Sequence, residues 1–575
     1  MDNEAYKISD EDLKNMNSNI TFHIDWGDVP GGYFCFGKRT FANFPLSFPV
    51  RSSSGRVPDL NGLLLQSYQW LETCTTQHKA CDSPADQDTF IPTRLLDLGE
   101  QAQPSLRLVL SENLSKSDRI RYVTLSYCWG QGTHATCTTK TNLEERLDVI
   151  HLETLPKTLQ DAVLITRALS IRYLWIDALC IIQTKPGEHN EDWLRESSNM
   201  GKIYRHSVLT IAASGAKNSS EGCFYRRKAA SWPAQDFTFL DIVKKKSSPW
   251  LGGSLTLGAI LPSWNLSVEQ SALAKRGWVL QERMLASRTL FWTEDGLFWQ
   301  CSELHASEFE AAIEFDQFDP QRTFPLLDEV ANSLTSENDY PNPHYAWTKV
   351  LAEFSTKALT VTTDKLAAVE GLANEVARLT SRTYESGVWR HNLYLELAWS
   401  ARFRPGLDAK SPATRLPNTP SWLWASTHQT VRFLPEVQVV SYRELAIISA
   451  FDGQRLQISG QLGTLQVKRR EAYLKPTYGY PLCTFMPATD TPRGWDRDIA
   501  VIDTLEDTLP GEGGTIRCLQ WMKWKGYVES KGWETIGALI LSPIDQKGNV
   551  YRRIGWVQVV EACFLEEDLQ TITLV

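Results

Sequence analysis

The sequence lacks several features that would assign a function directly. It has no dense tract of Lys and Arg, and its formal net charge of -9 opposes binding to a phosphate backbone. No stretch approaches the roughly 18 uninterrupted apolar residues that a membrane-spanning helix needs. A phosphate-binding Gly-x-x-x-x-Gly-Lys-Ser/Thr loop and an internal repeat are also missing. We therefore expect no nucleic-acid partner, no membrane span and no P-loop NTPase.

A disulfide framework is missing as well. The 11 Cys residues are scattered from Cys35 to Cys563 without a repeating spacing. The N-terminal residues from Met1 to Glu4 are polar and partly acidic, and no apolar run follows them, so we expect no signal peptide. These observations favour a reducing compartment, free thiols and a cytoplasmic protein.

What the sequence contains is typical of a large globular protein. Hydrophobic residues make up 42% and charged residues 22%, and the 21 Trp residues indicate extensive cores or aromatic-lined pockets. At 575 residues, two to four structural units are expected. The predicted units are an N-terminal extension with a helix (1–117), an α/β core with an insertion near 224–270 (118–305), a helical segment (306–419) and a β-rich C-terminal region (420–575).

Alternating strands and helices define the predicted core. The predicted strands are 122–126, 173–176, 208–213 and 289–292. The predicted helices between them are 155–169, 193–204 and 278–285. Strands separated by helices in this way predict an α/β fold with a doubly wound parallel sheet of the flavodoxin type, in the strand order 2-1-3-4. Ligands of such sheets bind outside the carboxyl ends of the strands.

Four motifs lie in and around this core. They are YVTLSYCWG (122–130), LPKTLQDAVLITRALSIRYLWIDALCIIQ (155–183), DWLRESSNMGKIYRHSVLTIAAS (192–214) and RGWVLQERMLASR (276–288). In this order they resemble the heterokaryon-incompatibility (HET) domain of fungi. Segments at 70–81, 384–389 and 420–426 also look like the family's. The resemblance implies a fungal protein that acts in allorecognition and programmed cell death.

The core also resembles, more distantly, the TIR domain. Ser126 and Tyr127 end the first strand, and Trp278 and Glu282 stand four residues apart, on one face of a helix. In catalytic TIR domains a Glu in this position is needed to cleave the nicotinamide–ribose bond of NAD. The resemblance implies that Glu282 is catalytic and stabilises positive charge on the ribose, as carboxylates do in glycoside hydrolysis. NAD would then be the substrate, and no bound cofactor is expected.

The strand ends and the TIR resemblance together suggest where this substrate would bind. The candidate substrate-binding residues are Tyr127, Trp129, Gly130, Asp177, Arg276 and Trp278. By the resemblance, Arg276 would pair with the pyrophosphate and Trp278 would stack on nicotinamide or adenine. Backbone N–H groups of the turn from Gly130 to Gly132 are a further candidate for binding phosphate.

Structural roles remain open for the same residues. Glu282 would equally form an ion pair with Arg283 or Arg288 that anchors a helix. Trp278 would equally be an ordinary core residue, because aromatic residues at helical spacing usually are. Asp177 follows a buried strand and would either bind ribose or cap the next turn.

Cys and His residues suggest two further sites. Cys180 lies near His189 and His206, but no spacing supports a nucleophile and its base, so a small buried side chain is expected. Cys74, His78 and Cys81 stand at i, i+4 and i+7, on one face of a helix. They would ligate zinc, but a structural site needs a fourth ligand that the spacing does not identify. The sequence therefore predicts a packing face and no metal.

Two functions follow as hypotheses. The first is a HET-domain effector of allorecognition and cell death that cleaves NAD as catalytic TIR domains do. The second is a non-enzymatic signalling module that forms a homo-oligomer or recruits an allelic partner protein. A partly exposed Glu282 beside Trp129 and Trp278 would favour the enzyme, and a Glu282 sealed by an Arg would favour the module.

Overall fold

The computed structural model describes the chain in segments that form two compact units. The described residues are 20–24, 32–36, 59–81, 90–100, 103–115, 120–130, 136–185, 188–225, 235–238, 254–257, 262–310, 312–313, 327, 330–331, 334, 345–402, 415–433, 439–475, 478–485, 499–504, 507, 509–511, 513–526, 534–544, 549–560, 564 and 567–575. The first unit comprises Met1–His189, Ser207–Leu273 and Ser287–Gln321. The second comprises Asn190–His206, Ala274–Ala286 and Arg322–Val575. Most of the predicted insertion near 224–270 lies outside the described residues.

Helices and strands alternate in the first half of the chain, and strands dominate the second. The α-helices are α1 (Leu60–Gln77), α2 (Leu143–Asp148), α3 (Lys157–Ala168), α4 (Asp177–Cys180), α5 (Glu191–Arg205), α6 (Val279–Met284), α7 (Tyr345–Phe354), α8 (Ala367–Thr380) and α9 (Leu393–Glu396). The strands up to residue 310 are β1 (Ile20–Ile24), β2 (Gly32–Phe36), β3 (Arg94–Glu100), β4 (Gln103–Leu110), β5 (Tyr122–Ser126), β6 (Tyr173–Trp175), β7 (Leu209–Ala212), β8 (Gln235–Thr238), β9 (Ser254–Leu257), β10 (Arg288–Trp292), β11 (Leu297–Cys301) and β12 (His305–Ser307). The later strands are β13 (Tyr384–Glu385), β14 (Val388–Trp389), β15 (Trp399–Arg402), β16 (Thr430–Phe433), β17 (Val439–Glu444), β18 (Ala446–Phe451), β19 (Leu456–Lys475), β20 (Tyr478–Phe485), β21 (Ile499–Ile502), β22 (Thr515–Gly526), β23 (Glu534–Pro543), β24 (Val550–Val560) and β25 (Glu567–Leu574).

An eight-stranded sheet forms the centre of the first unit, in the order β12-β11-β10-β7-β5-β6-β3-β4. Its four central strands, β10, β7, β5 and β6, pair in parallel. These are the four predicted strands, and their predicted order 2-1-3-4 is confirmed. Every residue of β5, β7 and β10 is buried, as expected for the central strands of a sheet that is covered on both faces, and the buried residues include the polar Thr124, Thr210 and Arg288.

The outer strands of this sheet run antiparallel, so the prediction of a wholly parallel sheet was wrong. β10, β11 and β12 form consecutive antiparallel pairs, and β3 pairs antiparallel with both β6 and β4. Only residues 293–296 connect β10 to β11. A connection this short permits a hairpin and cannot carry a crossover helix. The finer description as a flavodoxin-like or TIR-like doubly wound core stays a prediction.

Helices of the second unit pack at unusually short range. A Cβ on Gly201 of α5 would lie 2.9 Å from the Cα of Gly371 on α8, so both helices require glycine where they cross. Arg205 and Glu375 form an ion pair of 3.3 Å between the same helices. Within the predicted helical segment (306–419), α7 and α8 are helices, whereas β13, β14 and β15 are short strands.

Residues after Pro420 form a nine-stranded sheet, which confirms the predicted β-rich C-terminal region. β22, β23, β24, β25 and β19 pair in sequence, and β19 also pairs with β22. Arg553, a residue of β24 in this sheet, is fully buried, and its Nε donates to Asp503 Oδ2 at 3.1 Å. None of the helices in the described part of the chain has the length and apolar character that crossing a bilayer requires.

Candidate functional site

The carboxyl ends of β5 and β6 are joined by a side-chain hydrogen bond. Trp129, in the turn after β5, donates its indole N–H to Asp177 Oδ2 at 2.8 Å. Asp177 is the first residue of α4, and its Oδ1 accepts from the backbone N–H of Ala178 at 2.7 Å. Both side chains are half-buried. The structure thus brings together two residues that lie 48 positions apart and were both predicted for this edge.

Asp177 therefore accepts two hydrogen bonds, one from the Trp129 indole and one from the backbone at the start of α4. The negative charge of Asp177 also affects the pKa of a neighbouring thiol, that of Cys137. Burial, and then the negative charge of Asp177, raise the pKa of Cys137 to about 12. Cys137 is therefore a neutral thiol at physiological pH. A half-buried indole held next to a carboxylate offers one flat face and one anionic group, a combination that suits an aromatic ligand carrying hydroxyl groups.

A loop after β7 packs against the same edge. The backbone N–H of Gly215 donates to the carbonyl of Trp292 at 2.9 Å, which ties the end of β7 to the end of β10. Gly130 has a φ of +73°, and a Cβ there would lie 2.4 Å from the Cβ of Asn218. Glycine is therefore required at position 130 by both backbone conformation and space. Gly132, named with it as a phosphate candidate, lies outside the described residues.

Tyr127 is buried, with 3% of its surface exposed, so it belongs to the core beneath the edge. Cys180 is buried as well, at 1% exposed, and its carbonyl accepts from Arg94 Nε at 2.6 Å. The expectation that Cys180 is a small buried side chain is confirmed. Of the residues predicted after β5 and β6, Trp129, Gly130 and Asp177 are thus the ones at the surface of the edge.

Arg276, Trp278 and Glu282 belong to the second unit. Trp278 lies 5.3 Å from Trp193, measured between ring centroids. Burial raises the pKa of Asp364, and a hydrogen bond from Trp278 partly offsets this rise. Trp278 therefore has the packing contacts and the hydrogen bond of a structural residue.

Glu282 lies on α6 and is 8% exposed. Arg288, one of its suggested ionic partners, lies in the first unit, where its Nε donates to the sulfur of Cys74 at 3.1 Å. Gln281, the residue before Glu282, is fully buried, and neither end of its amide has a hydrogen-bond partner among the described residues. The Glu282 carboxylate is therefore largely buried, and it is not the partly exposed carboxylate that would favour an enzyme.

Sequence reasoning missed one polar residue near the edge. Asp161 on α3 is fully buried, pairs with Lys157 and accepts from the backbone N–H of Cys223 at 2.8 Å. It ties the loop after β7 to α3. The signal available in the sequence was an acidic residue within the buried face of a helix, where a charge needs a partner.

The fold and this edge define a mixed α/β domain with a candidate ligand site at the ends of its parallel strands. Residues 122–282 match a family model described as Heterokaryon incompatibility protein (HET). The matched segment covers less than a third of the chain and contains β5, β6, β7 and Glu282. It supports the resemblance to a heterokaryon-incompatibility domain protein. No curated protein and no solved structure matched the chain.

Proposed function

We propose that this protein acts in heterokaryon incompatibility, as a fungal effector of allorecognition and programmed cell death. The observation that carries the proposal is the match of residues 122–282 to the HET family model. The same residues build the edge where Trp129 and Asp177 meet. The proposal therefore ties a family assignment to a specific pair of side chains.

The finer proposal is that the protein cleaves the nicotinamide–ribose bond of NAD. The half-buried Trp129 ring would face nicotinamide or adenine, and the neighbouring Asp177 carboxylate would accept hydrogen bonds from ribose hydroxyls. The TIR resemblance by itself assigns to Glu282 the stabilisation of the positive charge that develops on the ribose as nicotinamide leaves. Arg276 would pair with the pyrophosphate. These roles rest on the TIR resemblance together with the chemistry of the side chains.

Glu282→Gln tests this activity, because it keeps the size of the side chain and removes the charge. We expect nicotinamide release from the purified full chain to fall by a factor of about 10²–10³. Glu196→Gln is a matched control, since Glu196 is another buried Glu of the second unit, 2% exposed. Nicotinamide is measured by chromatography after incubation with saturating NAD. Full turnover by Glu282→Gln, or none by the wild type, rules out the enzymatic proposal.

A second candidate function is a non-enzymatic module that oligomerises and recruits an allelic partner. The 8% exposure of Glu282 favours it, because a buried carboxylate suits a structural role. The toxicity of the expressed protein in a fungal host separates the two candidates. An enzyme loses toxicity with Glu282→Gln, whereas a module keeps it as long as the variant folds and retains the oligomeric state of the wild type.

A further inference from the structure

Four potential metal-binding side chains converge in the first unit, outside the segment that matches the HET family model. Cys74 lies in the last turn of α1, His78 follows that helix, and Cys81 ends the 3-10 helix Lys79–Cys81. The fourth is Cys301, the last residue of β11 and 220 positions further along the chain. Their ligand atoms all lie within 4.8 Å of one another.

The spacing of these atoms fits a tetrahedral ion. Zinc binds Cys sulfur at about 2.3 Å and His nitrogen at about 2.0–2.1 Å, so tetrahedral ligand atoms stand roughly 3.3–3.8 Å apart. In the structure, His78 Nδ1 is 3.4 Å from the sulfur of Cys301 and 3.9 Å from that of Cys81. Closing the cluster around an ion therefore requires only small side-chain adjustments.

The surroundings of the cluster also suit a structural site. Cys74, Cys81 and Cys301 are at most 2% exposed, so water has little access to the sulfurs. Arg288 Nε donates to the sulfur of Cys74 at 3.1 Å, and another nitrogen of its guanidinium donates to the carbonyl of Cys81. Three thiolates, one neutral His and Zn²⁺ carry a net charge of -1, which the Arg288 cation balances.

Strand pairing and side-chain contacts hold the two parts of the cluster in place. Arg288 and Cys301 are paired residues of β10 and β11. Glu303 Oε1 accepts from the backbone N–H of Ala80 at 2.6 Å, and the rings of Trp70 and Trp299 lie 6.1 Å apart. The segment from Cys74 to Cys81 is thereby fixed against the end of β11 by contacts other than the sulfurs.

We propose that Cys74, His78, Cys81 and Cys301 form a structural zinc site that fastens α1 to the end of β11 in the eight-stranded sheet. A Cys₃His set has no ligand position left for water, which is the form of a structural and not of a catalytic zinc centre. This proposal differs from the sequence-based prediction, which gave Cys74, His78 and Cys81 a packing role and no metal.

The decisive measurement is the metal content of the full chain. The protein is purified without chelators and without metal-affinity chromatography, and metals are measured by inductively coupled plasma mass spectrometry. We expect close to one zinc per chain. Exchange with Co²⁺ is expected to give thiolate-to-cobalt charge-transfer absorption. A metal-free wild type with freely alkylated cysteines, a disulfide within the cluster, or bound iron would each overturn the proposal.

Variants separate a ligand from a merely buried cysteine. Cys301→Ser is expected to lose the bound zinc, whereas Cys301→His retains it, because His also ligates zinc. Arg288→Met is expected to lower zinc affinity by about 10–100-fold, as the loss of groups that orient metal ligands does. Cys137→Ser, at another buried Cys of the first unit, should leave one zinc per chain. Equal zinc content in Cys301→Ser and the wild type would contradict the assignment of Cys301.

Discussion

Replacing Trp129 with Phe removes the indole N–H that Asp177 accepts at 2.8 Å, while an aromatic ring stays in the turn after β5. Hydrogen bonds to charged groups contribute about 1.5–3 kcal/mol to stability. Both side chains are half-buried, so water competes for them and the lower end of that range applies. In a double-mutant cycle with Asp177→Ala, we expect a coupling energy of about 1–1.5 kcal/mol between the two residues.

Urea unfolding of the full chain, followed by circular dichroism, measures this coupling. The chain has two units and can therefore unfold in two transitions. The free energy of unfolding is compared for the transition that the single variant Asp177→Ala shifts. Trp264→Phe serves as the matched control, since the Trp264 indole donates to a different carboxylate, Glu269, also at 2.8 Å. Its effect should add to that of Asp177→Ala within about 0.5 kcal/mol. A Trp129–Asp177 coupling below about 0.3 kcal/mol would refute the argument that Asp177 holds the indole.

Two further predictions concern the second unit. Burial lowers the pKa of Lys365 to about 7, so between pH 7 and 10 the unfolded chain binds more protons than the folded one. The free energy of unfolding of the wild type, relative to that of Lys365→Met, should therefore rise with pH in this interval, by at most roughly 1.4 kcal/mol per pH unit. Thermal unfolding at a series of pH values measures it, and the same pH dependence in the wild type and in Lys365→Met would contradict the prediction. Gly201→Ala should destabilise by about 1–3 kcal/mol, although alanine ordinarily stabilises a helix interior, because its Cβ would meet Gly371. Ser198→Ala, at an exposed position of α5, is the control in urea unfolding, and a stabilised Gly201→Ala would show that the two helices move apart easily.

The local pattern of the sequence was sufficient for the central strands and for most helices near them. β5, β7 and β10 are buried along their whole length, and each is a run of the length of a strand that contains β-branched or aromatic residues. Helix α3 begins directly after Pro156, as predicted, because proline suits the first turn of a helix. Connections between parallel strands of one sheet are right-handed, and this rule limits the possible strand orders. The predicted order 2-1-3-4 is the one observed for the four central strands.

The outer strands were not predictable in the same way. β3 and β4 pair with each other and with β6, and β11 and β12 extend the other edge. The edge strand β4 has exposed residues among its buried ones and gives no continuous apolar run that distinguishes it from a loop. Their pairing depends on which edge of the sheet is open, and this is a property of the assembled sheet.

The sequence by itself determined which residues are chemically capable: the sulfurs and imidazole of Cys74, His78 and Cys81, and the side chains of Trp129 and Asp177. Only the tertiary structure decided which of them meet. Cys301 joins the cluster because β11 returns antiparallel beside β10 and ends against the helix that carries Cys74. A pattern along the chain reports neighbours within one or two helical turns, whereas contacts across 220 positions arise only when the sheet has formed.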